Sequence, residues 1–279
     1  MRPPVVAGQF YAGTRLELLK QIDQCYTNQH GPGKTPKLKA GTRKLIGLVS
    51  PHAGYMYSGP VAAHGFARMA EDGCPGSVVI IGPNHSGAGS GVSIMTSGKW
   101  STPLGNIKID EELSDGIKSA TDIIDIDMMA HAYEHSIEVQ LPFLQHLFDE
   151  KFKIVPICMM LQDERTSVEV GDAIAEAAVG KDVVILASTD FTHYESQNSA
   201  MGKDKKVINK ILAMDPIGVV RTVDEEEVTM CGYGPVSAML QAAKKLGAKK
   251  AEILKYATSG DTSGPMEHVV GYASIAVSR

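Results

Sequence analysis

The chain has 279 residues and sets 27 lysines and arginines against 32 aspartates and glutamates, a formal net charge of -5. It contains no basic block and no run of about 18 apolar residues, which argues against nucleic acid as a partner and against any membrane association. The opening MRPPVVAGQFYAG breaks with prolines where a signal peptide needs an apolar core, so a cytoplasmic protein is expected.

Taken in chain order, TRLELLKQIDQCY from Thr14 predicts a helix, with Thr14 and Glu17 spaced as a capping box. The stretch 28–42, NQHGPGKTPKLKAGT, is an exposed loop: its GPGKT lacks the earlier glycine and preceding strand of a phosphate loop. KLIGLVS (44–50) is the first strand and SVVIIG (77–82) the second, with a helix over GPVAAHGFARMAED between them. The Gly-rich residues 87–91 have the wrong spacing for a dinucleotide fingerprint and form a flexible loop. EHSIEVQLPFLQHLFDE, from Glu134, predicts one continuous helix, followed by a strand over 152–160, a helix over SVEVGDAIAEAAVG and a strand over 182–188. A helix at 234–247 and two strands, AEILKYATS and VVGYASIAVS, complete the chain.

The four apolar runs are continuous rather than alternating, as in parallel strands buried on both faces. With helices between them they predict an α/β fold: a three-layer α/β/α arrangement with a mostly parallel central sheet. No linker or repeat divides the chain, so one domain is expected over 1–279.

In such sheets ligands bind beyond the carboxyl ends of the strands. Four segments bring polar groups to that edge: Ser50, His52, Tyr55 and Tyr57; Asn84, His85 and Ser86; Ser188, Asp190 and His193; and Cys231 in TMCGYGP. Cys25, Cys74, Cys158 and Cys231 form no C-x-x-C pair, so they are expected to be reduced thiols rather than a zinc ribbon or disulfide framework. Cys231 opens a helix, a position that favours thiolate. His135 and Glu138, three apart, are predicted to share a helix face and reach the crevice as acid–base or supporting groups.

Two imidazoles and one anionic ligand make a site for Fe(II), copper or zinc. A second reading makes Cys231 a nucleophile with His85 or His193 as base and Asp190 as orienter, a Cys-dependent hydrolase. A third is a non-catalytic module that binds an anionic peptide or metabolite through Asn84, Ser86, Tyr55 and Tyr57.

Six ordered motifs, RPPVVAGQFY, SPHAGYMYSG, IGPNHSG, EHSIEVQLPF, STDFTHY and CGYGP, resemble the Memo-like family, known in prokaryotes as AmmeMemoRadiSam system protein B. The resemblance implies a fold similar to the LigB-type subunit of class III extradiol dioxygenases, a non-haem iron group. It implies His52, His85 and Cys231 as the metal-facing set, with Asp190 and His193 beside them and the EHSIE segment, including His135 and Glu138, near the rim. It also implies Fe(II) or copper as the metal, a redox role, and radical-SAM and AMMECR-type partner proteins. In the dioxygenases the third ligand is a glutamate where this chain has Cys231, so ring cleavage does not carry over.

Overall fold

The computed structural model describes residues 1–279. Its central strands are β1 (Leu45–Ser50), β2 (Ser77–Pro83), β7 (Lys153–Met159) and β8 (Val183–Ser188), the four apolar runs of the sequence. β1, β8, β2 and β7 lie side by side in that order and are parallel, with Gly47 opposite Ile185, and Ile80 opposite both Leu186 and Pro156. Every residue of β1 and β2 is buried, which is why these strands lack polar alternation.

Antiparallel strands flank this parallel centre. On one side β11 (Val269–Ser278) pairs with β1, with β10 (Lys250–Thr258) and with the short β9 (His193–Glu195). On the other side β3 (Val92–Ile94) runs antiparallel to β7 and parallel to β6 (Asp125–Ile126). A separate hairpin joins β4 (Lys99–Thr102) to β5 (Gly105–Lys108).

The helices are α1 (Arg15–Thr27), α2 (Tyr55–Asp72), α3 (Glu111–Ser119), α4 (Met129–Ala132), α5 (Leu141–Phe148), α6 (Glu164–Ala178), α7 (Gln197–Leu212), α8 (Pro216–Glu225), α9 (Tyr233–Lys245) and α10 (Ser259–Ser263). Alternate residues along each central strand face opposite layers, so Val79 and Ile81 join an apolar core with α6, α8 and α9. Val78 and Ile80 join a second core with α1, α2 and α5. Each such fully buried side chain stabilises the fold by roughly 1.5–3 kcal/mol. Phe66 of α2 stacks on Phe143 of α5 at 4.7 Å and so pins these helices together. The architecture is the expected three-layer α/β/α.

One predicted element is corrected. The helix expected from Glu134 begins only with a 3₁₀ turn at Glu138–Gln140 and continues as α5, while 133–137 are non-helical. Pro142 lacks the N–H that would bond the Glu138 carbonyl in an α-helix, so the turn tightens and Leu141 N–H bonds it instead. His135 and Glu138 therefore do not share a helix face. Thr14 caps the first helix by accepting from Glu17 N–H, but the Glu17 carboxylate takes the Thr14 hydroxyl instead of its N–H, so the predicted capping box is half formed.

Candidate metal centre

Each central strand ends where its apolar run stops, and the next residues turn into one crevice. His52 follows β1, His85 follows β2, Asp190 follows β8, and Cys231 precedes Gly232, the N-cap of α9. Two glycines permit the close packing that this requires. A Cβ on Gly82 would lie 2.4 Å from Ser136 Oγ, and one on Gly232 would lie 2.5 Å from the Ser188 carbonyl oxygen. The chain around Cys231 can therefore press against the end of β8, where Cys231 N–H donates to the Asp190 carbonyl and Asp190 N–H donates to Cys231 Sγ, both at 3.2 Å.

One donor atom from each of His52, His85 and Cys231 lies within 4.8 Å of the others. His52 Nε2 is 3.3 Å from Cys231 Sγ. An ion bound tetrahedrally by imidazole and thiolate would hold these two atoms about 3.5 Å apart, so the donor set fits a metal.

The hydrogen bonds fix which ring nitrogens are free. Ser188 donates its one hydroxyl proton to the Ser136 carbonyl at 2.7 Å and accepts from Gln140 Nε2 at 2.8 Å. Toward His52 Nδ1, 2.9 Å away, it can only accept. His52 thus carries its proton on Nδ1 and presents a lone pair on Nε2. His85 donates from Nδ1 to Glu134 Oε1 at 2.9 Å, which leaves its Nε2 free as well. Metal-binding histidines take this arrangement, with the distal N–H held by an acceptor.

Burial pushes His52 well below the usual histidine range, aided by His135 and His85 nearby. Burial likewise pushes the Cys231 thiol well above its ordinary value, with Asp190 adding to the effect. Asp190, which accepts from His52 N–H at 2.9 Å, is raised to about 6 by burial. Burial alone would also raise Glu134, but hydrogen bonds from His85 and Ser136 outweigh it and hold that carboxyl down at about 2. Without a metal, burial therefore favours the uncharged forms of His52 and Cys231, and the thiolate expected from helix position alone is overridden by desolvation.

The other site residues separate into those at the crevice and those turned elsewhere. His135 stacks on His85 at 4.6 Å and meets His52 edge-on at 5.4 Å. His193 is half-buried and donates from Nδ1 to the Thr229 carbonyl at 2.7 Å, outside the ligand group but near enough to influence His52 and Asp190. Glu138 is fully engaged by Arg2, Tyr11 and the Val5 and Val6 N–H groups, from which it accepts, so it is a structural carboxylate. Asp190 orients neither base of the nucleophile triad: His193 Nδ1 bonds the Thr229 carbonyl and His85 Nδ1 bonds Glu134, while burial opposes the Cys231 thiolate.

Of the anion-binding donors, Asn84, Ser86 and Tyr55 are engaged internally, while Tyr57 is exposed. Asn84 Oδ1 accepts from Ser86 and Gly87, Asn84 Nδ2 donates to the Ala88 carbonyl, and Tyr55 OH donates to the Val139 carbonyl inside the core. Sequence reasoning passed over Glu134 and Arg2, which lie beside the site or hold it. Its available signal was the carboxylate preceding His135 in EHSIE. No helix is long and apolar enough to cross a membrane.

A family model described as Memo-like protein matches residues 2–276. A MEMO1 family protein of Methanopyrus kandleri is 50% identical over 280 residues, covering 100% of this chain and 99% of the relative. One from Methanothermobacter thermautotrophicus is 47% identical over 278 residues, covering 99% and 100% respectively. An uncharacterized protein of Escherichia coli K12 shares the fold, with a TM-score of 0.57 at 13% identity over 83% of this chain and 99% of that one. Full-length matches at about half identity place this chain in the Memo-like family.

Proposed function

We propose that the chain is a metal-binding, redox-related protein in which His52, His85 and Cys231 hold Fe(II) or copper. The observation that carries this is the convergence of the three donors within 4.8 Å, with both histidine Nδ1 protons held by acceptors and so turned away from the site. Zinc suits the same donors but brings no redox chemistry. Bound Fe(II) or copper would supply a one-electron couple at the crevice. A thiolate ligand donates more charge than a carboxylate and lowers the potential of that couple.

The chain's own groups supply proton handling around it. Asp190 is a buried carboxylate that accepts from His52 N–H, and His193 Nε2 is free because Nδ1 serves Thr229, so these two would hold or pass a proton. His135 packs on His85 and limits its movement. On this reading the crevice takes a small molecule or peptide, and radical-SAM and AMMECR-type proteins are its partners. The setting is a cytoplasmic protein of one domain over 1–279.

The test is the metal content of protein purified anaerobically without a histidine tag, measured by elemental mass spectrometry. About one Fe or Cu per chain is expected, lost in Cys231→Ser and in His52→Ala/His85→Ala. Equal metal in all three proteins would overturn the assignment.

A further inference from the structure

A second trio of metal-type side chains overlaps the first: donor atoms of His85, Glu134 and His135 also lie within 4.8 Å of one another. It can be a second ion site or a brace for the first. The hydrogen bonds of Glu134 favour the brace. A carboxylate offers about four acceptor positions. In Glu134, Oε1 accepts from His85 Nδ1 at 2.9 Å and from Ser136 N–H at 2.8 Å, and Oε2 accepts from His85 N–H at 2.5 Å. Two of these three donors are backbone groups, and Glu134 is fully buried. These donors fill three of the four positions and leave one on Oε2; an ion held through Oε1 would have to displace the His85 Nδ1 proton or the buried Ser136 N–H, the latter at a cost of about 1–3 kcal/mol. His135 Nδ1, at 3.5 Å from Oε1, is too distant for a good hydrogen bond and packs by its ring instead.

The segment bearing Glu134 is held in turn by the start of the chain. Arg2, 5% exposed, donates to the Glu134 carbonyl at 2.6 Å and to the His131 carbonyl at 3.0 Å, pairs with Glu138, and lies 4.2 Å over the Trp100 ring. Phe10 packs against His135 at 4.7 Å. The N-terminal residues thus form a strap across 131–138, although they are far in sequence from every proposed ligand.

We propose that Glu134 is a positioning residue that fixes the tautomer and orientation of His85, and that Arg2 holds Glu134 in register. The affinity of the His52, His85 and Cys231 site is then set partly by the second residue of the chain. This rests on the metal-binding reading above. The trio containing His135 is a brace and takes no ion of its own.

The experiment compares wild type, Glu134→Gln and Arg2→Lys, with Cys231→Ser as the ligand-loss reference. Metal affinity is read by competition with a chromophoric chelator for Cu(I) and, anaerobically, for Fe(II). The His85 tautomer is read in metal-free protein by nitrogen NMR of labelled histidines. Glu134→Gln is expected to bind roughly 10–100-fold more weakly, and its His85 to shift from the Nδ1–H form toward a mixture. Arg2→Lys keeps the charge but loses the forked donors, and is expected to show a smaller shift in the same direction. Unchanged affinity with an unchanged tautomer in Glu134→Gln overturns the proposal, as does a stoichiometry of two ions per wild-type chain. If wild type binds no metal, the earlier reading fails, and the tautomer in metal-free protein still decides whether Glu134 positions His85. If Glu134→Gln does not fold, Arg2→Lys decides the matter: affinity and tautomer both equal to wild type overturn the proposal.

Discussion

Glu138 gives the sharpest separation of catalytic from structural roles. Its carboxylate is fully buried and takes the Arg2 guanidinium, Tyr11 OH and two backbone N–H groups, and Arg2 is itself buried. In Glu138→Ala the buried guanidinium loses its only carboxylate partner, which costs about 3–5 kcal/mol. The Val5 and Val6 N–H groups lose an acceptor, which adds about 1–3 kcal/mol for each that water does not reach. Shared relaxation makes these terms less than additive, so a loss of at least about 4 kcal/mol is expected. At about 2 °C per kcal/mol for a chain of this size, the melting temperature should fall by roughly 8 °C or more. The assay is thermal unfolding of metal-free protein at pH 7.5, followed by circular dichroism. Arg2→Met/Glu138→Gln, which removes both charges, should recover part of the loss. A Glu138→Ala protein melting within about 2 °C of wild type would refute the structural assignment.

Three further outcomes follow from buried titrating groups. Burial, with Arg2 adding to it, lowers His131 to about 4; its stabilising effect is complete above about 6.5 and is lost as pH falls through 4. Wild type should lose up to about 3 kcal/mol more than His131→Phe between pH 7 and 4 in urea unfolding, and parallel pH profiles would disprove this. Asp190 has the opposite sign: raised to about 6, it favours the fold below about 3.8 and opposes it as pH rises through 6. Asp190→Asn should therefore stabilise metal-free protein at pH 7 by up to about 3 kcal/mol; a lower melting temperature would contradict this. Because Cys231 is held as a thiol, metal binding at pH 7.5–9 should release one proton and strengthen about tenfold per pH unit, a slope absent in Cys231→Ser.

The parts of this molecule that were legible in sequence are those in which one local rule decides. Apolar runs ending in Ser50, Pro83 and Ser188 are buried on both faces, so their composition alone marks them as central parallel strands. His52, His85 and Cys231 were legible because each stands directly after a strand or before a helix, where sheet topology dictates convergence. Position near the edge was not enough for Tyr55 or Asn84, whose polar atoms are taken by the Val139 carbonyl and by the loop's own backbone. Glu138 was misassigned because spacing of three implies a shared face only within a regular helix, and Pro142 removes the donor that such a helix needs at Glu138.

The roles of Glu134 and Arg2 escaped the sequence for a different reason, although EHSIE did place a carboxylate beside His135. Their roles depend on a contact across 132 residues, between the Arg2 guanidinium and the Glu134 carbonyl, and on a lone-pair count that no spacing rule contains. That distinction bears on the site itself. Residues that donate directly to an ion must be placed by strand ends, which are rigid and encoded locally, whereas residues that choose a tautomer can be supplied by any buried segment that passes nearby. In the metal-free protein desolvation opposes the charged forms of His52, Asp190 and Cys231 alike. An ion that replaces the Cys231 proton supplies the countercharge that the crevice lacks, so metal binding and stability of the crevice should rise together.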